Sequence, residues 1–177
     1  MSGLLSNQEL PAQSACALLA DLLLEREWKL ATAESCTGGL IAGCCTALAG
    51  SSDWFERGFV TYSNEAKADS LGVDPALIAQ HGAVSEVVAR AMAFGAVRHS
   101  LANVSVAVTG IAGPSGGSAE KPVGTVWFGF MVDGRLTSET RRFDGDRAAV
   151  RGATVVHALT RLIDLVKEAQ PPAPPAT

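Results

Sequence analysis

The stretch Trp28-Lys29-Leu30-Ala31-Thr32-Ala33-Glu34-Ser35-Cys36-Thr37-Gly38-Gly39-Leu40-Ile41-Ala42-Gly43-Cys44-Cys45-Thr46-Ala47-Leu48 decides how this chain is read. Trp28 to Thr32 reads as a strand, and Gly39 to Leu48 as a helix. Between them stand hydroxyls and two glycines. A strand that enters a helix through such a turn puts side-chain oxygens and backbone N–H groups at a helix N-terminus. Partial positive charge there favours an anion or a developing oxyanion. Glu34, Ser35 and Thr37 are therefore candidates for chemistry, with Gly38 and Gly39 supplying backbone N–H groups. A plainer role is also open, in which Ser35 or Thr37 only caps the helix, as Ser and Thr often do.

Upstream, Ser6 and Glu9 form a capping pair for a helix that runs to about Glu25, with Leu10, Ala17, Leu18, Leu22 and Leu23 at helical spacing. Downstream, Gly58 to Tyr62 is a second strand. Ser63 or Asn64 caps a short helix ended by Gly72, and Asp74-Pro75 starts another. Ser85-Glu86 opens a longer helix to about His99, with Val88, Met92, Ala96 and Val97 inward. Val104 to Val108 has the continuous apolar character of a strand covered on both faces. It runs into a loop, Thr109 to Gly117. Gly124–Val132 and Leu136–Phe143 then flank Asp133-Gly134, a two-residue hairpin signal, and Trp127 and Phe130 read as core. Asp146 begins a last helix through Glu168. The expected architecture is a single three-layer α/β/α domain over residues 1–169, with a mixed sheet and helices on both faces. The tail 170–177 carries four prolines and is expected to be disordered.

The 177 residues are 47% hydrophobic and 18% charged, with a net charge of −4. That balance suits a compact domain with its own core and argues against a general nucleic-acid binder, which shows a basic face. Cys16, Cys36, Cys44 and Cys45 form no C-x-x-C pair, so neither a zinc site nor a secreted disulfide framework is expected. Reduced thiols point to the cytoplasm. Met1 to Gln13 lacks the basic start and apolar core of a signal peptide, and no apolar run approaches the ~18 residues of a membrane span. Cys36 is a conceivable nucleophile, but His81, His99 and His157 are all distant from it in sequence.

Three further clusters carry chemistry. The loop Thr109-Gly110-Ile111-Ala112-Gly113-Pro114-Ser115-Gly116-Gly117 lets backbone approach a phosphate, or is simply a tight connection. Tyr62 ends a strand and Lys67 follows five residues later. A partly desolvated lysine has a lowered pKa and serves as general base for a serine, while the alternative is a solvated surface side chain. Arg147 and Arg151 share one helix face and either hold a phosphate or carboxylate or pair with Asp144 or Asp146.

Several blocks together resemble the CinA C-terminal domain family: Ala33-Glu34-Ser35-Cys36-Thr37-Gly38-Gly39, Gly58 to Lys67, Gly82-Ala83-Val84-Ser85-Glu86, Val108 to Pro114, Lys121 to Val126 and Gly145-Asp146-Arg147. The similarity spans about residues 10 to 168 in the family's order. Stand-alone members are nicotinamide-nucleotide amidohydrolases, so the resemblance implies deamidation of nicotinamide mononucleotide to nicotinate mononucleotide and ammonia, in pyridine-nucleotide salvage. It implies a site without metal or cofactor, with Ser35 as nucleophile, Lys67 as base and Tyr62 as its partner. Glu34, Thr37, Gly38, Gly39, Thr109, Gly110, Gly113 and Arg147 would shape the substrate pocket. A homo-oligomer, dimer or higher, is implied as well. Ser115 departs from the family, which commonly has glycine there. Two other readings stand beside the enzyme: a non-catalytic nucleotide-binding regulatory module, and a partner protein in competence or the damage response.

Overall fold

The computed structural model describes residues 9–169. The cap expected at Ser6 and the tail from Gln170 lie outside the described residues. At the centre is a five-stranded sheet in the order β2-β1-β3-β4-β5. β1 (Leu30–Glu34) lies parallel to both β2 (Phe55–Val60) and β3 (Val104–Gly110), whereas β4 (Thr125–Val132) and β5 (Arg135–Arg142) join antiparallel. Parallel neighbours need long crossovers and antiparallel ones only a tight turn, so helices separate β1, β2 and β3 and a hairpin closes the sheet. Asp133 and Gly134 make that turn, both at positive φ.

Helices α1 (Glu9–Glu25), α2 (Leu40–Thr46) and α6 (Arg147–Glu168) cover one face. Helices α3 (Asn64–Leu71), α4 (Pro75–His81) and α5 (Glu86–Arg98) cover the other. The two faces differ in side-chain size. Val104, Val106, Val108, Phe128 and Phe130 point towards α1 and α6 and form the larger core. Ala31, Ala33 and Ala107 point towards α5, and a Cβ at Gly129 would lie 2.3 Å from the Ala89 carbonyl. Small residues let α5 lie close on the central strands. Ser105, a buried polar side chain in that contact, donates to the Ala93 carbonyl at 2.7 Å, which offsets the cost of burying it.

Several boundaries and faces differ from expectation. β1 runs two residues further than expected, to Glu34, because it has a strand on each side and its small residues fit there. β2 begins at Phe55 rather than Gly58; it is an edge strand, and its charged Glu56-Arg57 pair hides the alternation. On α1 the buried residues are Ala12, Cys16, Leu19, Ala20 and Leu23, while Leu18 and Leu24 face outward. Leucines all round that helix made its face ambiguous. Trp127 is half-buried and lies on the opposite face from Phe128 and Phe130, as strand alternation requires for neighbours one residue apart.

Candidate active site

Glu34 and Val108 are paired at the carboxyl ends of β1 and β3, so the turn after β1 and the loop after β3 leave the sheet side by side. The turn is built around Glu34. Its carboxylate is fully buried and lies at the N-terminus of α2. Oε2 accepts from the Thr37 hydroxyl at 2.6 Å and from the N–H groups of Gly39 and Ile41 at 3.1 and 3.0 Å, and Oε1 accepts from Ala42 N–H at 2.8 Å. Neither Ser35 nor Thr37 caps α2 directly. A carboxylate five to eight residues upstream does so, which spacing alone does not reveal, because the chain must first reverse through Gly38 (φ +60) and Gly39 (φ +101). The anion position foreseen at this helix start is thus filled from within the chain. Glu34 and Thr37 are spent on each other and on α2.

With Glu34 on one side of β1, strand alternation turns Ser35 to the other, where α3 presents Lys67. Ser63 caps α3 by accepting from Ala66 N–H, and Gly72 ends it in the left-handed conformation. Lys67 Nζ lies 3.2 Å from Ser35 Oγ, 3.0 Å from the Thr61 carbonyl and 3.4 Å from the Ser63 carbonyl. The side chain is 1% exposed. Desolvation disfavours its charged form and holds the ammonium pKa below the usual lysine range. In its neutral form the amine gives two N–H groups to the two carbonyls and turns its lone pair to the Ser35 hydroxyl. The solvated-surface alternative for Lys67 is overturned.

Tyr62 and Arg147 meet across 85 residues of sequence. The Tyr62 ring packs near Gly38, and its hydroxyl lies 2.7 Å from Arg147 Nη2, while Arg147 Nη1 donates to the Gly113 carbonyl at 3.0 Å. The phenol is therefore held by Arg147 and not by Lys67. Arg151, one turn further along α6, donates through Nε to the Cys36 carbonyl at 3.1 Å and through Nη2 to the Thr37 carbonyl at 2.9 Å. Among the described residues neither arginine pairs with an acidic side chain. A cavity of about 660 Å³ opens beside them, lined by Ala112, Pro114, Val123, Asp146, Arg147 and Arg151 among others. Ser35 does not line it. Arg151 bridges from the cavity to the Ser35 turn, and Arg147 joins the loop after β3 to Tyr62.

The loop after β3 is less open than its composition suggests. Thr109 is buried and donates to the Ala83 carbonyl at 2.9 Å, so its hydroxyl holds the α4–α5 connection. A Cβ at Gly110 would lie 2.7 Å from Val126 Cγ2 and 2.9 Å from the Thr125 carbonyl, and one at Gly113 would lie 2.6 Å from Val123 Cγ1. Packing already explains both glycines. Cys36 points into the larger core, where burial pushes its thiol up to about 12, so it is no activated nucleophile. Of the distant histidines, His157 contacts Glu139 and packs on Phe128. Among the described residues no three His, Cys, Asp or Glu side chains cluster as a metal site needs, and no helix is long and apolar enough to cross a membrane.

Comparison with known proteins converges on one group. The pattern that defines the CinA C-terminal domain matches residues 12–166. A relative from Enterobacter agglomerans, named nicotinamide-nucleotide amidohydrolase PncC, is 53% identical over 161 residues, covering 90% of this chain and 95% of that protein. The protein of the same name from Escherichia coli K12 is 59% identical over 133 residues, covering 74% and 80%. Among solved structures, the competence damage-inducible protein A from Klebsiella pneumoniae superposes with a TM-score of 0.87 at 37% identity, covering 90% of this chain and 99% of that one. The competence/damage inducible protein CihA from Agrobacterium tumefaciens gives 0.81 at 47% identity, covering 93% and 99%.

Proposed function

Since the chain belongs to the CinA C-terminal domain family, we propose that it is a nicotinamide-nucleotide amidohydrolase, releasing ammonia from nicotinamide mononucleotide and leaving nicotinate mononucleotide. The observation that carries the chemistry is the buried Lys67 amine at 3.2 Å from Ser35 Oγ, with two backbone carbonyls occupying its other hydrogen-bond positions. The carboxamide of the substrate is a poor electrophile, and a serine hydroxyl becomes an effective nucleophile only when a base takes its proton.

Lys67 Nζ accepts the Ser35 proton as Oγ bonds to the carboxamide carbon, and the carbonyl oxygen becomes an oxyanion. The carbon–nitrogen bond then breaks while Lys67 returns the proton to nitrogen, giving ammonia and an ester on Ser35. Water adds to the ester carbon with Lys67 again as base. The carbon–Oγ bond breaks, and the nucleotide acid leaves with Ser35 restored. Backbone N–H groups of the turn after Ser35 stabilise the oxyanion. The N–H of Gly38 is already given to the Ser35 carbonyl at 3.0 Å, which leaves that task to others. Tyr62, fixed by Arg147, walls the site beside Gly38. Arg147 gives the adjoining cavity the positive character that a nucleotide phosphate requires, while Arg151 is committed to the backbone of the turn.

The enzyme acts as a homo-oligomer in the cytoplasm. Four free thiols and the exposed apolar side chains Leu40, Val60 and Tyr62 near the site mouth support this. The deciding experiment is ammonia release from nicotinamide mononucleotide by the purified protein, with Ser35→Ala and added chelator as controls. Release that survives chelator and vanishes in the variant supports the reading. Absence of release with the nucleotide still bound would replace the enzyme with a binding module.

A further inference from the structure

The turn after Ser35 contains three successive peptide planes, and the carbonyl of each is held. The Ser35 carbonyl accepts from Gly38 N–H at 3.0 Å. The Cys36 carbonyl accepts from Arg151 Nε, and the Thr37 carbonyl accepts from Arg151 Nη2 and from Leu40 N–H at 3.3 Å. Arg151 stands 115 residues beyond Cys36 in sequence, on the first turns of α6, and it spends the fork of its guanidinium on backbone instead of on an acidic side chain.

A trans peptide is planar, with C=O and N–H pointing opposite ways. A donor that holds the carbonyl therefore also fixes where the next N–H points. Rotation of that plane by half a turn would swap the two and present an oxygen where there had been a hydrogen. Beside a nucleophile that generates an oxyanion this swap is costly, since a carbonyl oxygen repels the charge that an N–H would stabilise. The Cys36–Thr37 plane has no interstrand partner, being past the end of β1, and the positive-φ glycines that follow give it room to turn. The guanidinium is its restraint.

We propose that Arg151 is a positioning residue for acyl transfer at Ser35: by holding the carbonyls of Cys36 and Thr37 it locks the peptide planes behind the nucleophile against a flip that would turn an oxygen towards the reacting carbon. It touches neither substrate nor Ser35 Oγ and acts through the backbone. A single cation in the same place is not enough. Two successive carbonyls must be held at once in one fixed geometry, for which the planar fork of a guanidinium is built and the freely rotating donors of an ammonium are not.

The inference rests on Ser35 being the nucleophile, and the test separates the two. Arg151→Ala and Arg151→Lys are compared with the parent protein for ammonia release from nicotinamide mononucleotide. They are also compared for the rate at which an alkyl fluorophosphonate phosphonylates Ser35 with loss of fluoride, followed by intact-mass measurement. The expected result is a fall in kcat of about 100-fold in both variants, the size of losing one oxyanion donor, with KM changed less than about threefold. Phosphonylation slows in parallel, added guanidinium ion restores part of the rate to Arg151→Ala, and the acidic limb of the pH profile stays where Lys67 sets it. Full activity in Arg151→Lys would overturn the proposal, since charge alone would then suffice. A loss confined to KM would also overturn it and make Arg151 a substrate-binding group, as would equal phosphonylation rates in all three proteins. Slowed phosphonylation together with a parent protein that releases no ammonia would sink the substrate assignment and leave the positioning role intact.

Discussion

The turn after β1 and the loop after β3 leave neighbouring parallel strands, and both are rich in hydroxyls and glycines. In the first, the polar groups are arranged for one another: Glu34 holds α2, Ser35 meets Lys67, and Gly38 and Gly39 reverse the chain between them. In the second, Thr109 ties down the α4–α5 connection, and Gly110 and Gly113 are small because Val126 and Val123 lie against them. The same composition thus builds reactive geometry in one place and a wall in the other. What separates them is the neighbour each loop meets: a buried amine for the first, apolar β4 and its approach for the second.

Substitutions break this contrast in order of size. Ser35→Ala and Lys67→Met are expected to lower kcat by roughly 10⁴- to 10⁶-fold, as loss of the nucleophile or its base does elsewhere, while circular dichroism stays native. Comparable activity in Lys67→Met would remove the amine from the mechanism. Glu34→Ala acts on stability instead. It strands the Thr37 hydroxyl and three N–H groups, costing about 3–5 kcal/mol and lowering Tm by about 10 °C, measurable by calorimetry. Glu34→Gln keeps one acceptor and should lose about half as much. Gly110→Ala forces β4 aside and should cost about 1–3 kcal/mol with kcat nearly preserved, in keeping with a wall. Ser115→Gly, at an exposed position in the second loop, should change kcat/KM by less than about twofold. A large effect there would show that this loop also touches substrate.

Lys67 adds a pH signature that only the first region has. Its folded pKa lies below the unfolded value of about 10.5, so between the two the unfolded chain binds more protons. Stability should therefore rise with pH across that window and level off above it, and Lys67→Met should abolish the rise. Turnover needs the neutral amine, so kcat/KM should fall as pH drops through the lowered pKa. A profile flat across that range in the parent protein would contradict a lysine base.

The layered domain was legible because the signals are local. The Asp133-Gly134 turn, the Ser63 cap, the Gly72 stop and the run at Val104–Val108 each state their element within a few residues. Ser35, Lys67 and Tyr62 were legible as candidates, and the structure brings the first two together. The partner of Tyr62 was not, because Arg147 arrives from 85 residues away. Arg151 was noticed as a basic neighbour of Arg147, but its use on two carbonyls depends on how α6 docks beside the turn. The role of Glu34 depended on the path of the turn, which spacing does not encode.

That carboxylate has a further consequence. Many sites that use the start of a helix borrow their negative charge from solution and lose it when competing ions are plentiful. Here the counter-ion is a covalent part of the chain, sealed from water, and dissolved ions screen a buried charge far less than an exposed one. The bend that aims Ser35 at Lys67 should accordingly keep its shape from dilute buffer to high ionic strength. Any salt dependence of the reaction should then arise at the exposed Arg147 beside the neighbouring cavity, where the substrate's own charge is met.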